Sequence, residues 1–227
     1  MVGRRQSVLE AALTSMKAAQ SSTQWRIDYD DPGPIRIRDP VAEALGLLDA
    51  GDPIVIDYRS LLTHTGHSCP AAAGAYRISL LGLEALSGDS VPVRGEVDVT
   101  AAGPADQHPY GVISGAISHV TGAADDRGFP GLGDGMGDRR DRLHYEGFDA
   151  DGIGFEFADR QTGATVRVTY HLDEVPRPED LGLLPGVLDG SADAETVGRF
   201  REAWHERVRA VLHGDRYFTV ESLSDPE

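Results

Sequence analysis

The most reactive side chains of the chain gather in seven residues, His64-Thr65-Gly66-His67-Ser68-Cys69-Pro70. The single cysteine and two imidazoles fall there, and these are donors that transition metals prefer. Pro70 suits the first position of a helix. Cys69 then stands at that helix's N-terminus, where the helix dipole and free N–H groups favour a thiolate. His67 and Cys69 are two apart, so in an extended segment they project to one side, and Gly66 lets the backbone turn between the histidines. Three readings are open: a mononuclear metal site on His67 and Cys69 joined by His64; a thiol enzyme with Cys69 as nucleophile and His67 or His64 as its base; or a small buried cysteine beside turn-capping histidines.

Three ligands from one short loop would be unusual, so a metal site needs donors from elsewhere. His108 and His119 are the candidates. They are eleven residues apart, about 16 Å along a straight helix, so both cannot serve one ion. Asp106 could orient His108, whereas His119 lies among apolar neighbours. For an anionic substrate, Arg139 and Arg140 follow the glycine loop from Gly128 to Gly137. Tyr76 and Arg77 lie two turns into the helix after Cys69. The glycine loop is neither a Walker motif nor a dinucleotide fingerprint, and no Gly-x-Ser-x-Gly elbow or His-Glu-x-x-His helix occurs.

The elements that must position these residues alternate between helical and strand periods. Val8 to Ala19 has a helical apolar period. Asp39 and Pro40 start a helix expected over Val41 to Ala50, and Ile54-Val55-Ile56 reads as a short buried strand. The helix from Pro70 runs to Gly88. Val91 to Thr100 reads as a strand with Gly95 as a bulge, and a helix after Pro109 ends at Thr121-Gly122. Residues 153 to 158 and 164 to 172 form a hairpin across Asp159 to Gly163. A last helix covers about Ala194 to Leu212 and ends at Gly214.

Composition bounds the function classes. The 227 residues carry 21 Lys plus Arg against 37 Asp plus Glu, a formal charge of −16. That balance argues against nucleic acid and against an anionic membrane surface as partners. One cysteine excludes an intrachain disulfide framework and a cysteine-rich zinc ribbon. No stretch reaches the ~20 apolar residues of a transmembrane helix. The N-terminus, interrupted by Glu10 and Lys17, is a poor signal peptide. A cytoplasmic protein is expected.

His67-Ser68-Cys69-Pro70, followed by Ala75-Tyr76-Arg77, resembles the signature of the formylmethanofuran dehydrogenase E-subunit (FmdE-like) family. That family reads Phe-His-Gly-His-x-Cys-Pro-Gly with Gly-Tyr-Arg down the next helix. Ser118 to Ala123 resembles its Thr-Gly-Cys segment, and Asp159 to Val168 its final hairpin. The resemblance spans Asp57 to Val175. It implies an α+β core with an antiparallel sheet and flanking helices, a homodimer, and a metal near the histidine and cysteine. Carried over residue by residue, the ligands are His67 and Cys69. The family's first histidine falls on Thr65 and its later cysteine on Ala123, and the family's C-terminal zinc finger has no counterpart.

The expectation is therefore an α+β protein with extra helices at both termini. Residues 1–56 form a helical extension with a first strand, 57–175 the core, and 176–227 a C-terminal helical extension. The site is expected at His67 and Cys69 as catalytic and metal-binding residues, with His64 and His119 as further ligands. Tyr76, Arg77, Arg139 and Arg140 are expected to meet a small-molecule substrate. The cofactor would be zinc, iron or a haem without covalent attachment. The other possibilities are the metal-free thiol enzyme and a non-catalytic accessory or metal-delivery protein.

Overall fold

A computed structural model of the chain describes residues 25–30 and 32–224. The expected helix at Val8–Ala19 lies outside the described residues. Residues 25–30 belong to an N-terminal unit and carry no helix or strand. Residues 32–224 belong to a second unit, which holds all the described helices and strands.

This second unit is α+β, with two sheets. Strand β1 (Ile35–Ile37) pairs antiparallel with β2 (Ile54–Ile56), burying Ile35, Ile37 and Ile56. Between them lies α1 (Pro40–Ala44), with Pro40 in its first turn and Asp39 as its N-cap. The Asp39 carboxylate accepts the Val41 N–H at 3.0 Å. This helix is shorter than expected. It closes at Leu45, and Gly46 comes next with φ +69°. Leu45 and Leu47 are exposed there, so no core face sustains the helix.

The main sheet has the order β4-β3-β5-β6-β7. Its strands are β3 (Val97–Ala101), β4 (Leu143–His144), β5 (Ile153–Asp159), β6 (Thr165–Tyr170) and β7 (Phe218–Ser224). In β3, Val97, Val99 and Ala101 are buried while Asp98 and Thr100 are half-buried, the period-2 pattern of a one-sided sheet. The β5–β6 hairpin forms as expected, its turn closed by Asp159 accepting the Gln161 and Thr162 N–H groups. The sheet is not wholly antiparallel, because β4 pairs with β3 in parallel. The C-terminal segment is not wholly helical either, because β7 adds a strand to β6.

Helix α3 (Pro70–Ser87) crosses this sheet and is buried almost all round. The alanine run Ala71–Ala73 and Ala75 favours the helix and lets neighbours approach. Gly74 and Gly82 make the approach closest, since a Cβ on either would fall within 3 Å of the Tyr170 or Phe157 ring respectively. Three helices pack on α3: α2 (Tyr58–Thr65), α4 (Tyr110–Thr121) and, beyond the short α5 (Leu184–Leu188), α6 (Ala194–His213). Asp193 caps α6, accepting the Thr196 N–H. No helix among the described residues is long and apolar enough to cross a membrane.

Candidate functional site

The His64–Pro70 motif straddles the end of α2, a loop and the start of α3. Helix α2 has its own start and stop signals. Asp57 accepts the Ser60 N–H at 2.6 Å, Leu61 and Leu62 are buried, and Gly66 at φ +72° ends the helix. His64 therefore sits in the last turn of a helix, not in a loop.

Three aromatic residues from three elements pin the 66–70 segment. Trp204 of α6 donates its indole N–H to the Ser68 carbonyl at 2.8 Å. The Tyr58 hydroxyl lies 2.7 Å from Ser68 Oγ, and Tyr170 of β6 donates to the Pro70 carbonyl at 3.3 Å. Burial pushes the Tyr170 phenol well above its ordinary value, so it stays a neutral donor. Cys69 is the N-cap of α3, and its Sγ accepts the Ala72 N–H at 3.4 Å. His67 is exposed, with Nδ1 3.0 Å from the Thr65 carbonyl. Serine caps helices well and presents a smaller, harder oxygen to the same N–H. Cys69→Ser is thus expected to hold or raise stability, by up to ~1 kcal/mol, measured as the urea midpoint.

The structure brings His64 together with His119. The two rings stack at 4.9 Å between centroids and 23° between planes. His119 lies in the last turn of α4, so two helices that pack on α3 each deliver one imidazole. Gly115, one turn before His119, faces His64, and a Cβ there would make an ordinary contact, 3.7 Å from His64 Nε2. Burial, then His64, then Arg94 push His119 below its ordinary value, favouring the neutral ring. Arg94 also donates from Nη2 to the His119 carbonyl at 2.7 Å. Among the described residues, no group of three or more His, Cys, Asp or Glu is placed to hold a metal ion.

Each of the four residues expected to bind substrate has partners within the fold. Tyr76 is fully buried, and its hydroxyl donates to the Gly33 carbonyl at 2.6 Å, with the Ile56 carbonyl at 3.1 Å. Arg77 is buried, pairs with Asp215 and lies 5.7 Å from the Phe218 ring centre. Arg139 donates from Nη2 to Asp39 at 2.7 Å, and its guanidinium lies 5.5 Å from the Phe129 ring centre. Arg140 is exposed on Asp138. The glycine loop folds on itself through the Leu132–Met136 bridge. Arg94 carries no sequence signal for a site, because its role depends on residues far along the chain.

No protein-family model matches this chain, and no curated protein matches it. Among solved structures, the chain is similar to a tungsten formylmethanofuran dehydrogenase E-subunit (FmdE)-like protein from Syntrophus aciditrophicus. The identity is 12%, the TM-score 0.39, and the match covers 74% of this chain and 73% of that one. A likeness at that level bears on neither the activity nor the ligands of this chain.

Proposed function

We propose that the protein binds one transition-metal ion at His64 and His119 and acts there on a small molecule. The observation that carries this reading is the convergence of two imidazoles from two separate helices. Two cationic rings at that distance would repel, whereas two neutral rings carry the lone pairs a metal takes. His67 and Cys69, on the segment after α2, are the further donors in sequence, and imidazole with thiolate suits zinc or iron. A site with few protein ligands keeps positions for water or substrate, as catalytic metals do. A bound ion would polarise a substrate oxygen. The backbone that carries the two rings is tied down by the chain's own residues: the Leu62 carbonyl accepts the Gly66 N–H at the end of α2, and Arg94 donates to the His119 carbonyl.

Elemental analysis of metal-replete protein and titration with Co(II) test this. About one ion per chain is expected, with ligand-field bands in the visible that vanish in His64→Ala and His119→Ala. Folding of the variants is checked by circular dichroism. Metal-free protein with no cobalt spectrum overturns the proposal.

A second reading has its own observation, the half-buried Cys69 Sγ accepting a helix N-terminal N–H. As a thiol enzyme the protein would be alkylated at Cys69 by iodoacetamide at neutral pH, equally fast with and without chelator. A thiol no faster than a free cysteine sinks that reading.

A further inference from the structure

We infer that Arg94 and Arg139 form a binding site for a small oxyanion, a phosphate or a carboxylate, beside the turn that carries His119. Both guanidinium groups face one carboxylate, Asp39, which is 5% exposed. Arg139 Nη2 donates to its Oδ2 at 2.7 Å, and Arg94 Nη1 lies 3.8 Å from the same oxygen. The other oxygen already accepts the Val41 N–H. Two cations therefore share one oxygen of one anion. Among the described residues, Arg38, Arg140 and Arg167 each pair with a carboxylate of their own, Glu43, Asp138 and Glu156, whereas Arg142 and Arg160 also share one oxygen, that of Asp98, with Arg160 having Glu96 besides.

Hydrogen bonding repeats the imbalance. Guanidinium is a donor of five N–H groups with no acceptor. Among the described residues, the Nε atoms of both Arg94 and Arg139 are buried without a hydrogen-bond partner. Unmet donors on under-compensated cations are the state an added anion relieves. Burial, followed by the charge of Arg139, pushes Arg94 below its ordinary value, as expected of crowded cations.

The geometry also leaves a way in. Each side chain keeps 19% of its surface exposed, so the pair is not sealed from solvent, although the two Nε atoms themselves are buried. The two stems are held side by side by Gly122. A Cβ there would lie 3.0 Å from both Arg139 Cδ and Arg94 Cγ, and the residue has φ +76°. The hydrogen bond from Arg94 to the His119 carbonyl ties the pair to the proposed metal site. The anion's place as a substrate rests on the metal reading, but its binding does not. The overall charge of −16 repels anions at long range, so affinity must come from these two groups at contact.

The test is titration of the full chain with sodium phosphate, and separately with acetate, against sodium chloride at equal pH and ionic strength. Amide chemical shifts and calorimetry are the readouts. Saturable binding is expected, with the shifts centred on Arg94, Gly122 and Arg139. Arg94→Gln and Arg139→Gln should each weaken it at least tenfold, and Arg139→Lys, which keeps charge but not the planar fork, by less. His64→Ala and His119→Ala should still bind phosphate, so loss of metal in those variants leaves this site standing. A response no greater than that of chloride, or one centred elsewhere, overturns the inference, because the triad is then only a structural clamp. If the glutamine variants do not fold, the wild-type shift map and Arg139→Lys decide alone.

Discussion

Asp39→Ala is expected to lower the free energy of unfolding by about 3–5 kcal/mol, the range for removing one partner of a buried ion pair. Three losses coincide at this position. The N-cap of α1 disappears, worth about 1 kcal/mol. The hydrogen bond from Arg139 loses its acceptor. Most of the cost comes from the third, since Arg94 and Arg139 would face each other with no counter-charge. Asp39→Asn separates the contributions. Asparagine caps a helix as well as aspartate does, so that variant keeps the cap but loses the charge and, because its NH2 group then stands where Oδ2 was, the acceptor for Arg139. If charge dominates, Asn should recover no more than about 1 kcal/mol of the alanine loss. Urea unfolding of the three proteins decides this, and near-wild-type stability of Asp39→Asn would show that the carboxylate's charge contributes little. Phosphate should stabilise Asp39→Asn more than wild type, because an added anion takes the place of the missing one.

Gly82→Val is expected to destabilise by about 3 kcal/mol. On an exposed helix surface, replacing glycine would help, because glycine costs about 1 kcal/mol relative to alanine in a helix interior. Here the sign reverses. A Cβ at residue 82 would lie 2.6 Å from two atoms of the buried Phe157 ring. Neither side can give way easily: α3 is buried along this face, and Phe157 is fully buried in β5 beneath it. Overpacking of this kind outweighs the helix-propensity gain. Gly82→Ala should show the same sign at smaller size. Shrinking the ring tests the cause, since in a Phe157→Leu background Gly82→Ala should become neutral or stabilising. A destabilisation unchanged in that background would assign the effect to something other than the ring contact.

The two substitutions differ in how visible they are along the chain. Asp39 is recognisable from the sequence as a cap, because Asp-Pro before an apolar run is a local signal. Its partnership with Arg139, one hundred residues later, has no local signal. Gly74 and Gly82 are visible only as glycines inside a helical pattern. The spacing of Tyr76 and Arg77 from Cys69 suggests that they reach substrate; what spacing does not reveal is that both are buried on α3, Tyr76 against backbone carbonyls and Arg77 with its guanidinium on the exposed Asp215. Helix α2 does carry local signals, since Asp57, Leu61, Leu62 and Gly66 are its cap, its face and its stop. The neighbouring His64–Pro70 cluster reads as a loop and masks them. Strand β7 is harder to find, because six of its seven residues are exposed and its apolar alternation is weak.

The sequence by itself determined the local elements: the start of α3 at Cys69-Pro70, the end of α4 at Gly122, the β5–β6 hairpin, and the span of α6 up to Gly214. Each rests on interactions within a few residues, and capping, periodicity and turn chemistry are of that range. The tertiary structure alone decided which side chains meet. His64 found His119 rather than the nearer His67, because α2 and α4 pack side by side on α3 and end together. Arg94 and Arg139 came to share Asp39 because three segments far apart in the chain close around Gly122. Such contacts depend on the packing of whole elements, which no local pattern encodes.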